Sequence, residues 1–496
     1  MFLHARFAVP SFKDHLMSLN LRKTSGNALS ILSSDVMNRV TSFVLYAMVA
    51  RHLGAQEFGQ LSLAFTLFYT FQVFAVGGLK TLIVRQVAKN RAQTRLYFLN
   101  GIMIVTFTSV ASLVALWSFV HVMRYPTSTA RVILLLSLGL LPYTISAVCE
   151  GLFQAWERMP YIAFVNVPVN ILKVAGAYVL LATNRGLYPV VLVLLASLAA
   201  IAGFETWIVL RKFASQPASI DLHFSMTTMR SAATFLGIDG TLAIMSSLNI
   251  ILLSKLASET QVGLYSAATQ LLVPLLLVYQ SLAQSIFPVM CRKVAPGFQS
   301  LKRIAEQAIE LLLVLALPAA AALYFIGDRL ISLLYKNPTF SQAFPALRIV
   351  AWVLVLQVFT SVLGQVLLAS HREKITLRIV LVDTIFNLLV GWPLISILGL
   401  RGAAVALVLT RLADCIQHYI PVSRLVSSMP FASIVWKPLV AAACMTAYLA
   451  ALNGRLGILS GVSATLIYAV ALFSVAIWAS GGLRQFKDKY RPLLSE

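Results

Sequence analysis

Fourteen apolar runs of roughly twenty residues, joined by connections too short to hold a domain, restrict this chain to one class of fold. At about 1.5 Å per residue, a helix of that length crosses a hydrocarbon core ~30 Å thick. Only a structure that satisfies its own peptide groups is stable there, which for runs this long means the helix. The runs are approximately 27–50, 59–80, 97–120, 131–153, 161–183, 188–210, 232–255, 264–288, 305–326, 346–369, 379–398, 403–423, 438–453 and 458–480. With 59% hydrophobic and 11% charged residues among 496, the expectation is an all-α polytopic membrane protein of about fourteen transmembrane helices.

An even number of crossings leaves both termini on one side, and the cations say which. The segments on the N-terminal side hold 26 Lys and Arg residues, the opposite segments hold 10, and Arg39, Lys173 and Arg411 lie within apolar runs. By the positive-inside rule both termini are expected in the cytoplasm. The formal charge of +22 is therefore read as membrane orientation, not as a nucleic-acid surface. The basic stretch Lys80 to Arg95 fits that reading, touching anionic headgroups.

A shift of 204 positions superimposes Leu32, Asp35, Ser42, Gly59, Ser62, Ala64 and Leu67 on Leu236, Asp239, Ser246, Gly263, Ser266, Ala268 and Leu271. In both copies an Asp stands 24 residues before a loop Gly. Six runs per copy start the second in the same orientation as the first, so the halves are expected to be parallel repeats about an axis along the membrane normal. The expected division is a cytoplasmic segment 1–26, an N-lobe 27–210 and a cytoplasmic linker 211–231, then a C-lobe 232–425, two added helices 426–480 and a cytoplasmic tail 481–496.

Ionisable residues inside a bilayer are costly and point to partners, cavities or function. Asp35 and Arg39 lie four apart in the first run, with Asn38, Ser42 and Tyr46 on the same face. Comparable stripes carry Tyr143, Ser146, Glu150 and Gln154; Asn166, Asn170 and Lys173; Asp239, Ser246 and Asn249; Asp383 and Asn387; and Arg411, Asp414, Cys415 and His418. Lys173 has no acidic residue within one turn, so a partner is expected from another helix or from a ligand. A cavity bearing Arg39, Lys173 and Arg411 suits an anionic substrate, since guanidinium groups bind phosphate oxygens in pairs. The acids Asp35, Asp239, Asp383, Asp414 and Glu150 are then counter-ions, or sites whose proton or cation occupancy drives a conformational change. Neutralised pairs such as Asp35 with Arg39 and Arg411 with Asp414 also serve helix orientation alone.

Soluble-enzyme chemistry finds little support. The sequence has no GxxxxGK[ST] and no HExxH, and Cys149, Cys291, Cys415 and Cys444 show neither metal-ligand nor paired spacing. No cofactor or metal is expected, and the chain is not expected to be an enzyme.

At the Leu53-Gly54-Ala55-Gln56-Glu57-Phe58-Gly59 loop, at Gly78-Leu79 to Arg85, and at Leu400-Arg401-Gly402-Ala403-Ala404, the chain resembles the polysaccharide-transporter branch of the multidrug/oligosaccharidyl-lipid/polysaccharide (MOP) exporter superfamily, the Wzx-type flippases. The resemblance implies two six-helix lobes, alternately open to the two sides, plus two added helices. It implies a bacterial inner-membrane protein that moves undecaprenyl-diphosphate-linked oligosaccharide between leaflets, beside glycosyltransferases and a polysaccharide polymerase. Arg39 is the position proposed for contact with that substrate. The rivals are a multidrug or cation antiporter, a flippase for a lipid-linked peptidoglycan precursor, and, from another class, a membrane-embedded polysaccharide polymerase or ligase.

Overall fold

The computed structural model describes residues 21–213, 219–294, 298–426, 429–452 and 458–479. Residues 1–20 of the expected N-terminal segment, residues 214–218 of the expected linker and the 481–496 tail lie outside the described residues. In chain order the helices are α1 Leu21–Val76, α2 Leu79–Lys89, α3 Thr94–Val122, α4 Thr127–Ser137, α5 Leu140–Ala155, α6 Pro160–Ala182 and α7 Leu187–Lys212. They continue as α8 Leu222–Leu256, α9 Glu259–Gln270, α10 Val273–Val294, α11 Phe298–Tyr335, α12 Phe344–Val350, α13 Val353–Ala369, α14 Glu373–Leu398, α15 Leu400–Val426, α16 Phe431–Ala451 and α17 Ile458–Ala479. Among the described residues there is no strand, so the chain is an all-α, multi-pass membrane protein.

Twelve described helical stretches are long and apolar enough to cross a bilayer, or thirteen when α12 and α13, bent by 43°, count as one span. The first of the twelve, Val36–Lys89, has 54 residues. A straight helix of that length would measure ~80 Å, more than twice the hydrocarbon core. Gly54 divides it at φ 81° and ψ −177°, a conformation closed to residues with a Cβ, so the stretch holds the first two expected crossings. Three runs expected to be continuous are broken: 131–153 between α4 and α5, 264–288 between α9 and α10, and 346–369 between α12 and α13. At the first break Gly139 packs closely on α7: a Cβ there would stand 2.7 Å from Leu198 Cδ1, so a larger residue would have to push that side chain aside.

The helices cluster into two compact units, residues 1–48 with Leu67–Gly240 and Val49–Thr66 with Thr241–Glu496. In the first unit Leu79, Ile83 and Val87 of α2 share one buried core with Val148, Leu152 and Phe153 of α5 and with Ile208 and Val209 of α7. Asn100 on α3, fully buried, accepts hydrogen bonds from the Asp221 backbone N–H (2.8 Å) and the Ser225 hydroxyl (2.9 Å). Asp221 in turn caps α8, its carboxylate accepting from the N–H groups of His223 (2.8 Å) and Phe224 (3.1 Å). That cap starts α8 at Leu222, upstream of the residue 232 expected from hydrophobicity alone.

In the second unit two helical segments cross at van der Waals contact. A Cβ on Gly59 would fall 1.9 Å from the Glu259 carbonyl oxygen, and one on Gly263 would fall 2.0 Å from the Ala55 carbonyl oxygen. Beside this crossing Gln60 donates to the Glu259 carboxylate (2.8 Å). Arg51 donates through Nη2 to the carbonyls of Leu333 (3.3 Å) and Leu334 (3.0 Å), groups that the end of α11 leaves unpaired. Phe58, Tyr335 and Phe340 close the space beneath, with Tyr335 and Phe340 stacked at 4.7 Å. Farther along α11, Glu310 accepts from Lys437 Nζ of α16 at 2.9 Å.

Candidate functional site

Each unit holds its own buried polar cluster. In the second unit, Asp383 and Asn387 lie one turn apart on α14, and Arg411, Asp414 and His418 fall on one face of α15. Asp414 binds both its neighbours, His418 Nδ1 at 2.8 Å through Oδ1 and Arg411 Nη1 at 3.3 Å through Oδ2. Gln417 Nε2 donates to Asp383 Oδ1 at 2.6 Å. The cluster thus gathers two carboxyls and an imidazole, groups able to exchange a proton, beside a guanidinium that stays charged.

Around it the packing is tight and polar. Asn249 of α8 and Asn387 are buried, and each has a side-chain oxygen without a hydrogen-bond partner. A Cβ on Gly391 would stand 3.4 Å from the Asn387 oxygen and 3.8 Å from that of Asn249. Gly364 of α13 leaves the same kind of room beside His418 Nε2, at 3.7 Å. No group of three His, Cys, Asp or Glu residues that could hold a metal occurs among the described residues.

The first unit is built differently. Glu150 of α5 forms an ion pair with Lys80 of α2 at 2.5 Å and accepts from Asn166 Nδ2 of α6 at 3.4 Å. Lys80, counted in the sequence among the basic residues that set topology, therefore has a second role inside the unit. Another of those residues, Arg91, lies over the Trp156 ring at 5.0 Å. Asn170 donates to the Asn166 carbonyl (2.7 Å) and to the Asn38 side-chain oxygen of α1 (2.5 Å), while Lys173 donates to Asn170. The contact expected for Lys173 from another helix or a ligand is thus met first on its own helix, by a neutral amide. It makes no ion pair among the described residues.

The structure brings Asp383, Asp414 and Arg411 together and joins Glu150 to Lys80. Arg39 and Asp239 are exposed, and the Asp35 side chain lies outside the described residues. His418, read in the sequence as part of one stripe with Arg411 and Asp414, completes the second-unit cluster. Two partners escaped the sequence reading of the site: Gln417, which donates to Asp383, and Glu205 of α7, fully buried, which accepts from the Ser146 hydroxyl at 2.5 Å. The signal for Glu205 was present, as the one acidic residue in the run 188–210.

Comparison with known proteins adds the context. The profile of the family described as polysaccharide biosynthesis protein matches residues 25–293, and that of the MatE family matches residues 241–392. A curated relative from Haloferax volcanii, "Probable low-salt glycan biosynthesis flippase Agl15", is 23% identical over 193 residues, covering 38% of this chain and 41% of that protein. The match thus spans less than half of the relative's length. Among solved structures, "Lipid II flippase MurJ, inward closed conformation" is similar with a TM-score of 0.73 at 14% identity, over 94% of this chain and 100% of that one. An inward-facing multidrug resistance MATE family transporter of the MOP superfamily gives 0.62 at 14% identity, over 78% and 95%. At such identities the likeness is one of fold.

Proposed function

Since the chain belongs to the polysaccharide biosynthesis protein family, within the multidrug/oligosaccharidyl-lipid/polysaccharide exporter superfamily, we propose that it is a flippase for lipid-linked oligosaccharide. In this reading it carries undecaprenyl-diphosphate-linked repeat units across a bacterial inner membrane for a surface polysaccharide, with both termini cytoplasmic. The observation that carries the reading is the family match over more than half of the chain, together with the flippase relative. Intramembrane cations support it. Arg39 is exposed and Lys173 is held only by an amide, so both have capacity left for a diphosphate. Arg411, bound to Asp414, reaches a substrate only by leaving its carboxylate. The Asp383–Asp414–His418 group serves as the coupling element, its protonation biasing one of two conformations. Glycosyltransferases that build the unit and a polymerase that consumes it are the expected partners.

The MurJ-like fold favours a second reading, a lipid-linked peptidoglycan precursor as cargo. One experiment separates the readings. In a strain lacking the protein, lipid-linked oligosaccharides are extracted and their leaflet is assigned by access to a membrane-impermeant glycan probe. Complete repeat units stranded on the cytoplasmic face, and released by the wild-type gene, support the flippase. Complete units that reach the outer face but stay unpolymerised point to a polymerase or ligase instead. A block confined to peptidoglycan precursor selects the second cargo.

A further inference from the structure

At one end of the first unit, the turns that join α3 to α4 and α6 to α7 carry Arg124 and Arg185, and Arg131 follows one turn into α4. No acidic residue lies between Glu57 and Glu150 or between Glu157 and Glu205, so α3, α4 and α6 have none from end to end. Glu205 stands ~25 Å farther along α7 than Tyr188, and Glu150 is held by Lys80. Arg124 and Arg131 are exposed, and among the described residues neither forms an ion pair.

Two clefts flank α4 and meet at Leu134. The first, of about 600 Å³, runs along Arg131, Leu134, Leu135 and Leu138, with Tyr188 of α7 as its other wall. Steps of three, four and seven place those four residues on one face of α4. The groove therefore begins at a cation and continues for ~10 Å over leucine. At its mouth the Tyr188 hydroxyl donates to the Ser128 carbonyl at 3.4 Å, tying the two walls together. The second cleft, of about 390 Å³, is lined by Trp117, His121, Arg124 and Tyr125, with the Trp117 and His121 rings stacked at 6.0 Å.

A free sugar would find no hydrogen-bond partners along the leucines, and a bare phosphate would leave the groove unfilled. A phospholipid matches both parts, a phosphodiester for the guanidinium groups and an acyl chain for the apolar face. A zwitterionic lipid would bring its own ammonium to the arginines, so the match is to a lipid of net negative charge. We propose that this end of the first unit binds one anionic phospholipid, its phosphate held by Arg124 and Arg131 and an acyl chain laid along Leu134, Leu135 and Leu138. With both termini cytoplasmic, the orientation proposed above, the lipid belongs to the outer leaflet. The binding itself depends neither on that orientation nor on the cargo.

The test is native mass spectrometry of the purified full-length protein in detergent, titrated with phosphatidylglycerol. Wild type should retain one tightly bound lipid. Arg124→Gln and Arg131→Gln should each weaken it about fivefold, and the double variant about 25-fold. Phosphatidylcholine with the same chains should bind wild type no better than phosphatidylglycerol binds the double variant. Leu138→Trp, at a position 56% exposed, obstructs the groove without touching the core and should weaken the lipid while keeping the preference for anions. Equal binding by wild type and the double variant, or an unchanged affinity in Leu138→Trp, overturns the proposal. So does an equal loss in Arg211→Gln, at the other end of α7, which would make the attraction nonspecific. Displacement of the lipid by glycerol 3-phosphate at matching concentration would reduce the site to a phosphate site, and a dimer abolished by the arginine variants would place a second copy of the chain there. Either result also overturns it. No step of this readout requires translocation, so its failure is distinguishable from failure of the flippase reading.

Discussion

Gly59 and Gly263 meet each other's segments reciprocally: Gly59 abuts the Glu259 carbonyl and Gly263 abuts the Ala55 carbonyl. The two glycines are 204 positions apart, and so are Ala55 and Glu259. The contact is therefore self-complementary, like an interface across a twofold axis in which residue i meets j and j meets i. The weak internal repeat read from the sequence thus has a local physical counterpart at this crossing.

A methyl group at either glycine would overlap a backbone oxygen that cannot rotate away. Gly59→Ala and Gly263→Ala should each lower stability by about 1–3 kcal/mol or more. Because both relieve the clash by opening the same crossing, the double variant should lose less than the sum of the singles. Thermal unfolding followed by fluorescence-detected size exclusion gives the comparison. Full additivity would refute a shared crossing.

Asp414 neutralises Arg411 and orients His418, so its removal leaves a partly buried cation alone. Asp414→Asn should cost about 3–5 kcal/mol, and Arg411→Gln in the same chain should recover part of that loss. Denaturant titration of the two variants in the same detergent measures the recovery. An equal or larger loss in the double variant would mean that the pair contributes nothing beyond its separate residues.

Arg39→Ala and Lys173→Ala should reduce export of the glycan without reducing the amount of folded protein. Arg39 is exposed and Lys173 binds only an amide, so neither removal strands a charge. Surface polysaccharide and membrane-extracted protein are quantified side by side. Normal export in both variants counts against a cationic substrate path.

Asn100 ties α3 to the start of α8 through Asp221 and Ser225. Asn100→Ala should release that corner, costing about 1–3 kcal/mol for the buried donors left unpaired. Hydrogen exchange should rise across residues 219–225 while α5 stays protected. Unchanged exchange there would show that the cap at Asp221 holds the corner alone.

Hydrophobic run length located nearly every helix, because membrane burial imposes a uniform requirement that neighbours cannot override. Its failures were the breaks at Leu138–Gly139, Leu271–Leu272 and Ala351–Trp352, which leave the residues on either side just as apolar. Within the candidate site, the stripe Arg411, Asp414 and His418 was legible because one helix carries all three. The Lys80–Glu150 pair was not, since its members lie 70 residues apart and meet only through the packing of α2 on α5. Glu205 was passed over for the opposite reason: a lone acid has no pattern, although its isolation was the signal.

The ion pair between Glu310 and Lys437 ties α16 to α11 within the second unit. Removing α16 and α17 would take away the ammonium and leave the Glu310 carboxylate without its basic mate on an apolar helix, a costly state in a bilayer. A chain cut after α15 would thus carry a defect in a helix it still possesses, because that earlier helix relies on one that follows it.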